Sequence, residues 1–355
     1  MTAMPVIRDK IVNRAAWKGS EMSKDILAFD FTPKHLAAFA ELLKKIKDQG
    51  LTIDQIGREQ FDHPAINADL AAVVEEVQNG RGIVLMRRLP IENWSLDDTK
   101  IVYWGIGTHF GEGVSQSVLG DRIGHVEDMT KVDPTARAYR HHKELMLHTD
   151  LTEIIGMLSI RKAPTGGMSR YASAMTIHNE MLAHHPDHLE TLYKCYPYHR
   201  HGEQQPGQSP TTPHNVPLFS QKDGKLSIRY VRQFMITAAR ELGEPMPEPL
   251  VKALDCFDEI AQSPEVMLEC MLEPGEITFI NNFVVTHART AFQDGDDPAQ
   301  KRLLLRLWLD VKNGRPVVPE VEIYERDENG QGGIRAVDGK VPSFNYATLE
   351  AGDRY

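Results

Sequence analysis

Cysteine is scarce in this 355-residue chain: Cys195, Cys256 and Cys270 are the only three, widely spaced, with no Cys-x-x-Cys pair. Neither a disulfide framework nor a cysteine-ligated zinc site is expected from that pattern. A run of about 18 apolar residues, the minimum for a spanning helix, is also missing. The best candidate, LLLRLWL over 303–309, is broken by Arg306. The opening MTAMPVIRDK has no apolar core of a secretory signal, so a soluble, cytoplasmic protein is expected. Nor is there a basic excess: 40 Lys and Arg stand against 50 Asp and Glu, a net charge of −10. A general nucleic-acid surface needs the opposite balance. Any anion site must therefore come from a local group of arginines.

What the chain does have is globular composition, 41% hydrophobic and 25% charged, and enough length for a sizeable core. Residues 33–48 carry apolar side chains at 36, 39, 42, 43 and 46, which is helical spacing, with Gly50 as a stop. Residues 68–78 repeat the pattern and end at Asn79-Gly80; GIVLMRRL (82–89) reads as a buried strand, and Ser95 opens another helix to about 108. From 145 onward short β-like runs dominate: LMLHTDL, EIIGMLSIR, MSRYAS, KLSIRYV, VMLECML, EITFI, FVVTHA and RLLLRLWLDV. Helical stretches near 175–194, 232–242 and 249–262 interrupt them. Many short strands separated by turn signals point to a β-sandwich or barrel. One domain is expected: a helical layer over 1–81, a β-core over 82–312, and an extended, peripheral tail over 313–355. The proline-rich 202–224 segment reads as a long loop, either a lid over a pocket or plain surface.

In a strand, residues i and i+2 share a face, so LHTDL (147–151) would point His148 and Asp150 the same way. One imidazole and one carboxylate make two-thirds of a 2-His-1-carboxylate Fe(II) site, although a surface histidine beside an acid explains the same tripeptide. His185-Pro186-Asp187 has the same spacing but opens a helix, where i and i+2 diverge. His287, at the polar end of the apolar strand FVVTHA, is a candidate third ligand or a hydrogen-bonded core histidine. In RLLLRLWLDV the odd positions 303–311 are all apolar, and the even ones set Arg302 and Arg306 on the opposite face with Leu304 and Trp308. Two such arginines are either solvated or bound to carboxylates.

With these pieces assembled, the sequence resembles the iron(II)/2-oxoglutarate-dependent dioxygenases of the taurine dioxygenase-like family. The matching segments, in the family's order, are HTD (148–150), PTGGMSRYAS (164–173), SIRYVRQF (227–234), PGEITFINNFVVTHAR (274–289) and KRLLLRLWL (301–309). The resemblance implies an α+β fold, a double-stranded β-helix or jelly roll with flanking helices. It implies Fe(II) on His148, Asp150 and His287, with 2-oxoglutarate as cosubstrate and O2 as co-reactant. Arg302 falls where the family's arginine grips the distal carboxylate of 2-oxoglutarate, and Ser169 where a threonine usually stands beside it. Arg306 matches an arginine that meets substrate or cosubstrate. The expected reaction is oxidation, by default hydroxylation, of a C–H bond in a small amino acid, carboxylate or sulfonate, releasing succinate and CO2.

Further candidate substrate contacts are Leu151, Tyr171, Arg229, Tyr230 and Arg232. Arg229 and Arg232 stand at a strand end, where solvated arginine is the plainer reading. Tyr171 shares a strand face with Ser169 and Ser173. A quaternary ammonium substrate would require an aromatic cage, for which Tyr103, Trp104, Tyr139 and Tyr230 would have to meet. A metal-binding jelly roll without oxygenase activity and a zinc hydrolase are the competing classes. The partners expected are a small-molecule substrate and further copies of the chain, with neither nucleic acid nor membrane.

Overall fold

A computed structural model describes residues 5–130 and 138–339; the end of the expected tail, 340–355, lies outside the described residues. Two β-sheets face each other in a jelly roll. The major sheet runs in the order Ala28–Asp30, Ile83–Arg87, Ile277–Asn281, Ile154–Arg161 and Leu303–Asp310. The short strands Glu112–Gly113 and Ile123–Val126 both pair with Leu303–Asp310. The minor sheet is Met267–Cys270, Ser169–Ser173, Val285–Arg289 and Leu145–His148, all antiparallel.

Strand alternation divides the core in two. Leu305, Leu307 and Leu309 face outward from the major sheet and pack with Phe39, Leu42, Ile46 and Val73 of the helices Pro33–Asp48 and Asn67–Gln78. The first of these helices forms where the 3.6-residue apolar period predicts it. Thr32 accepts a hydrogen bond from the His35 amide at its start, and Pro33 is pre-set for the first turn. Leu304 and Trp308 point the other way, into the space between the sheets, with Ile155, Tyr171, Ala172 and Val285. Arg302 and Arg306 follow them inward and are 3% and 5% exposed. The solvated reading of these arginines is thereby set aside.

The structure corrects several boundaries. The stretch near 175–194 is two helices, Ala174–His184 and Pro186–Leu192, because Pro186 cannot extend the first. The N-terminal region is more than a helical layer: Ala28–Asp30 pairs in parallel with Ile83–Arg87. Trp17 is buried, with its ring N–H donating to the Arg81 carbonyl. The 202–224 segment ends in the strand Phe219–Lys222, which turns at Asp223-Gly224 to pair with Lys225–Ile228. Its earlier part is pinned by the Glu203 carboxylate, which accepts from the Val118 amide, and by the Thr212 amide donating to Tyr198.

The described tail is not peripheral. Val321, Ile323 and Ile334 are buried, and the Ile334 amide donates to the Ser115 carbonyl. Near its start Gly314 lies so close to the Glu153 carboxylate that a Cβ there would sit 2.0 Å from Oε2. The Arg315 amide donates to Glu153 Oε1 at 2.9 Å. Burial pushes the Glu153 carboxyl from 4.5 up to about 7. Between those values the folded chain keeps a proton that the unfolded chain has released, so Glu153 makes stability fall as pH rises through this window. Glu153→Gln, neutral at every pH, is expected to gain stability relative to the unchanged protein as pH goes from 4.5 to 7. Urea melts at several pH values check the sign.

Candidate metal centre

Antiparallel pairing of Val285–Arg289 with Leu145–His148 sets His287 opposite His148. Their ring centroids are 4.4 Å apart. Asp150 completes the group, and one ligand atom from each of the three lies within 4.8 Å of the others. The two-residue spacing works differently from the expectation, because the strand ends at His148 and Asp150 lies just beyond it. Tertiary hydrogen bonds place the carboxylate instead. The Thr149 amide donates to the Tyr230 carbonyl at 2.8 Å, and the Asp150 amide donates to Asn282 Oδ1 at 3.0 Å. Behind them, Arg229 Nη1 donates to the Asp150 carbonyl.

The electrostatics suit a cation. Burial, and next the neighbouring His148, push the His287 imidazole down to about 3; burial also lowers His148. Both rings are therefore neutral bases near neutral pH. His148 Nδ1 donates to the Met146 carbonyl at 2.8 Å, which leaves Nε2 as the available base. Burial alone would raise the Asp150 carboxyl, but Arg306, His287 and His148 outweigh it and hold the group at about 2. Two neutral imidazoles and one carboxylate on one side of a cavity are the donor set of a facial Fe(II) site.

Two cavities meet at these residues. The inner one, of about 510 Å³ counted out to solvent, lies between the sheets and is lined by His148, Asp150, His287, Ser169, Tyr171, Arg289, Arg302 and Arg306 among others. The outer cleft, of about 870 Å³ counted out to solvent, has an apolar wall including Met146, Leu151, Val231, Phe234 and Trp308. Arg306 borders both. Its Nε donates to Gln116 Oε1 at 2.7 Å, its Nη1 lies 3.3 Å from Asp150 Oδ2, and the guanidinium lies 4.2 Å from the Tyr139 ring centroid. Nη2 is buried with no hydrogen-bond partner among the described residues.

The remaining sequence candidates divide. Ser169 and Tyr171 border the inner cavity, and the Tyr171 hydroxyl is 3.4 Å from Thr278 Oγ1. Leu151, Tyr230 and Arg232 border the outer cleft. Arg229 is only 2% exposed, so its solvated reading fails, and it lines neither cavity. Arg232 is committed to Asp255 and Asp258, and Tyr230 also donates to Asp258, at 2.6 Å. The aromatic cage does not assemble. Tyr103 and Trp104 lie in the outer core, bonded to the carbonyls of Leu305 and Ile56, and only Tyr139 and Tyr230 reach the cleft.

Sequence reasoning missed Arg289, Asn282 and Gln116. The i+2 rule applied from His287 would have found Arg289. Asn282 read as a turn residue, and nothing marked Gln116. Because Asn282 fixes the backbone of Asp150, Asn282→Ala is expected to weaken Fe(II) binding by about 10- to 100-fold, the usual effect of losing a supporting hydrogen bond. Anaerobic metal titration of both proteins measures it.

The family pattern described as "Taurine catabolism dioxygenase TauD, TfdA family" matches residues 45–308. FR-33289 synthase of Streptomyces rubellomurinus is 30% identical over 318 residues, 87% of this chain and 93% of that protein. Taurine hydroxylase-like protein SAT17 of Stachybotrys chartarum is 26% identical over 313 residues, covering 84% and 79%. Among solved structures, asparagine oxygenase with Fe(II), 3-hydroxyasparagine and succinate superposes with TM-score 0.63 at 15% identity, over 84% of this chain and 98% of that one. The non-heme iron oxygenase OrfP with Fe and α-ketoglutaric acid gives 0.60 at 12% identity, over 80% and 94%.

Proposed function

Since the chain belongs to the TauD, TfdA family of dioxygenases, we propose that His148, Asp150 and His287 hold its iron, and that Arg302 and Ser169 anchor its cosubstrate. The protein is an oxidoreductase that uses Fe(II), 2-oxoglutarate and O2. The observation that carries the residue assignment is the meeting of both imidazoles and the carboxylate at the mouth of a cavity lined by Arg302 and Ser169.

When bound, iron with 2-oxoglutarate and O2 supplies the oxidising power, and the cosubstrate leaves as succinate and CO2. The protein's part is placement. His148 presents Nε2 because Met146 occupies its other nitrogen. Asn282 and Tyr230 fix the turn that aims Asp150. Arg302 has no carboxylate partner among the described residues: Nη1 is 3.5 Å from the Val126 carbonyl, and the guanidinium lies 5.0 Å from the Phe292 centroid. Burial pushes it down to about 10, still cationic at neutral pH and matched to a distal carboxylate. Arg306 stands between the cavities and offers its unpartnered Nη2 to an anionic group of the substrate. The substrate is a small molecule with such a group, an amino acid, carboxylate or sulfonate, its body lying along the apolar wall of the outer cleft; hydroxylation is the outcome proposed. A single domain over the whole chain, in the cytoplasm, with its three cysteines unpaired, belongs to the same reading, as does self-association. Among the described residues no helix is long and apolar enough to cross a membrane.

Succinate release after admitting O2 to protein loaded with Fe(II) and 2-oxoglutarate tests the substrate class across amino acids, carboxylates, sulfonates, betaines and the precursor of FR-33289. Stimulation by an anionic compound is expected; stimulation by betaines alone would refute the class. His148→Ala should abolish turnover and release iron, and full activity in that variant would remove the metal assignment. Arg302→Ala should raise the 2-oxoglutarate requirement at least tenfold, a shift of about 1.4 kcal/mol. An unchanged KM would contradict its role.

A further inference from the structure

Several arginines nearer the surface are doubly paired: Arg87 with Asp25 and Asp30, Arg170 with Glu144 and Glu269, Arg232 with Asp255 and Asp258. Arg289 and Arg302, both buried against the inner cavity, have no ion pair among the described residues. Arg302 is already assigned to the distal carboxylate of 2-oxoglutarate; Arg289 has no assignment.

Only one of its three nitrogens is satisfied. Nη2 donates to the carbonyls of His141, at 2.6 Å, and Lys143. Nε and Nη1 are buried with no hydrogen-bond partner among the described residues. The Arg289 and Arg302 guanidiniums lie 4.7 and 5.0 Å from the centroid of the same Phe292 ring. Across the minor sheet Arg289 is the register partner of Ser169, the hydroxyl proposed to bind that same carboxylate. Neither nearby acid pairs with either guanidinium among the described residues: Asp128 stands 3.2 Å from His142, and Asp294 accepts from the Arg302 amide through Oδ1 at 2.8 Å, its Oδ2 buried without a hydrogen-bond partner. Two buried like charges beside one hydroxyl, with donors left over, form an incomplete arrangement that one anion completes.

We propose that Arg289 is a second cationic contact for the distal carboxylate of 2-oxoglutarate, shared with Arg302 and Ser169. The proposal rests on the reading of the inner cavity given above. It makes the pocket selective for 2-oxo acids that carry a second carboxylate, with Arg289 tied through Nη2 to the segment leading into the His148 strand.

Arg289→Gln separates charge from support, because the glutamine amide still donates to a backbone carbonyl. With Fe(II) bound and O2 excluded, 2-oxoglutarate is titrated by its charge-transfer absorption, alongside 2-oxovalerate, which lacks the distal carboxylate. The expected result is an apparent Kd for 2-oxoglutarate about tenfold higher in Arg289→Gln, with 2-oxovalerate affinity unaltered. Arg289→Lys should recover most of the loss, and it carries the test if the glutamine variant does not fold. In turnover the change should fall on KM for 2-oxoglutarate rather than on KM for the oxidised substrate. Equal weakening of both 2-oxo acids would show a merely structural role and overturn the proposal. So would unaltered 2-oxoglutarate binding in Arg289→Gln while Arg302→Gln is weakened. If Arg302→Gln also binds normally, the reading of the cavity itself fails.

Discussion

His287 stands opposite His148 because two strands of the minor sheet pair antiparallel in one register, and the rest of the site is arranged around that coincidence. Side chains alternate along a strand, so a slip of one residue would turn an imidazole away from the cavity and towards the other face of the sheet. The register shifts immediately afterwards: Arg289 pairs with Leu145, one residue further than a regular ladder would give. The strand leading to His148 thus holds an extra residue next to the site, as bulges near active sites commonly do. Asp150 owes its place to another mechanism, a short turn pinned by Tyr230 and Asn282 from distant segments.

The space between the sheets combines a hydrophobic core with a charged chamber. Leu304 and Trp308 share the inward face of one strand with Arg302 and Arg306. A fully buried guanidinium without a carboxylate costs several kcal/mol even after relaxation. The outward face of the same strand, packed under the N-terminal helices, contributes favourable burial at about 25 cal/mol per Å². On this strand the outward face thus contributes only burial, while the inner face combines burial with groups that a ligand completes. The Phe292 ring lies against the Arg302 guanidinium and that of Arg289 on the minor sheet, and gives both a flat, apolar support.

The parts of this arrangement that follow local periodicity could be read from the sequence. Alternation over Leu303–Asp310 put the arginines on one face, helical spacing located Pro33–Asp48, and Pro186 marked His185-Pro186-Asp187 as a helix start. The three residues of the metal group were legible from chemistry and resemblance together. Contacts spanning great sequence distance were not. Gln116 is 190 positions from Arg306 and Asn282 is 132 from Asp150, and no local pattern encodes such a meeting. The tail misled because polar, proline-rich composition hides the few side chains, Val321, Ile323 and Ile334, that bury. The four aromatics of the imagined cage failed for the opposite reason: Tyr103 and Trp104 belong to the outer core, on the far side of the major sheet from the cleft.

A facial iron site here requires one metal ion shared by His148, Asp150 and His287. Anomalous diffraction from crystals grown without oxygen in the presence of Mn(II) and 2-oxoglutarate addresses it without relying on turnover. A single strong peak is expected within about 2.0–2.3 Å of His148 Nε2, an Asp150 carboxylate oxygen and an imidazole nitrogen of His287, the bond lengths usual for first-row divalent ions. A peak elsewhere, or one bonded to only one of the three side chains, would contradict it.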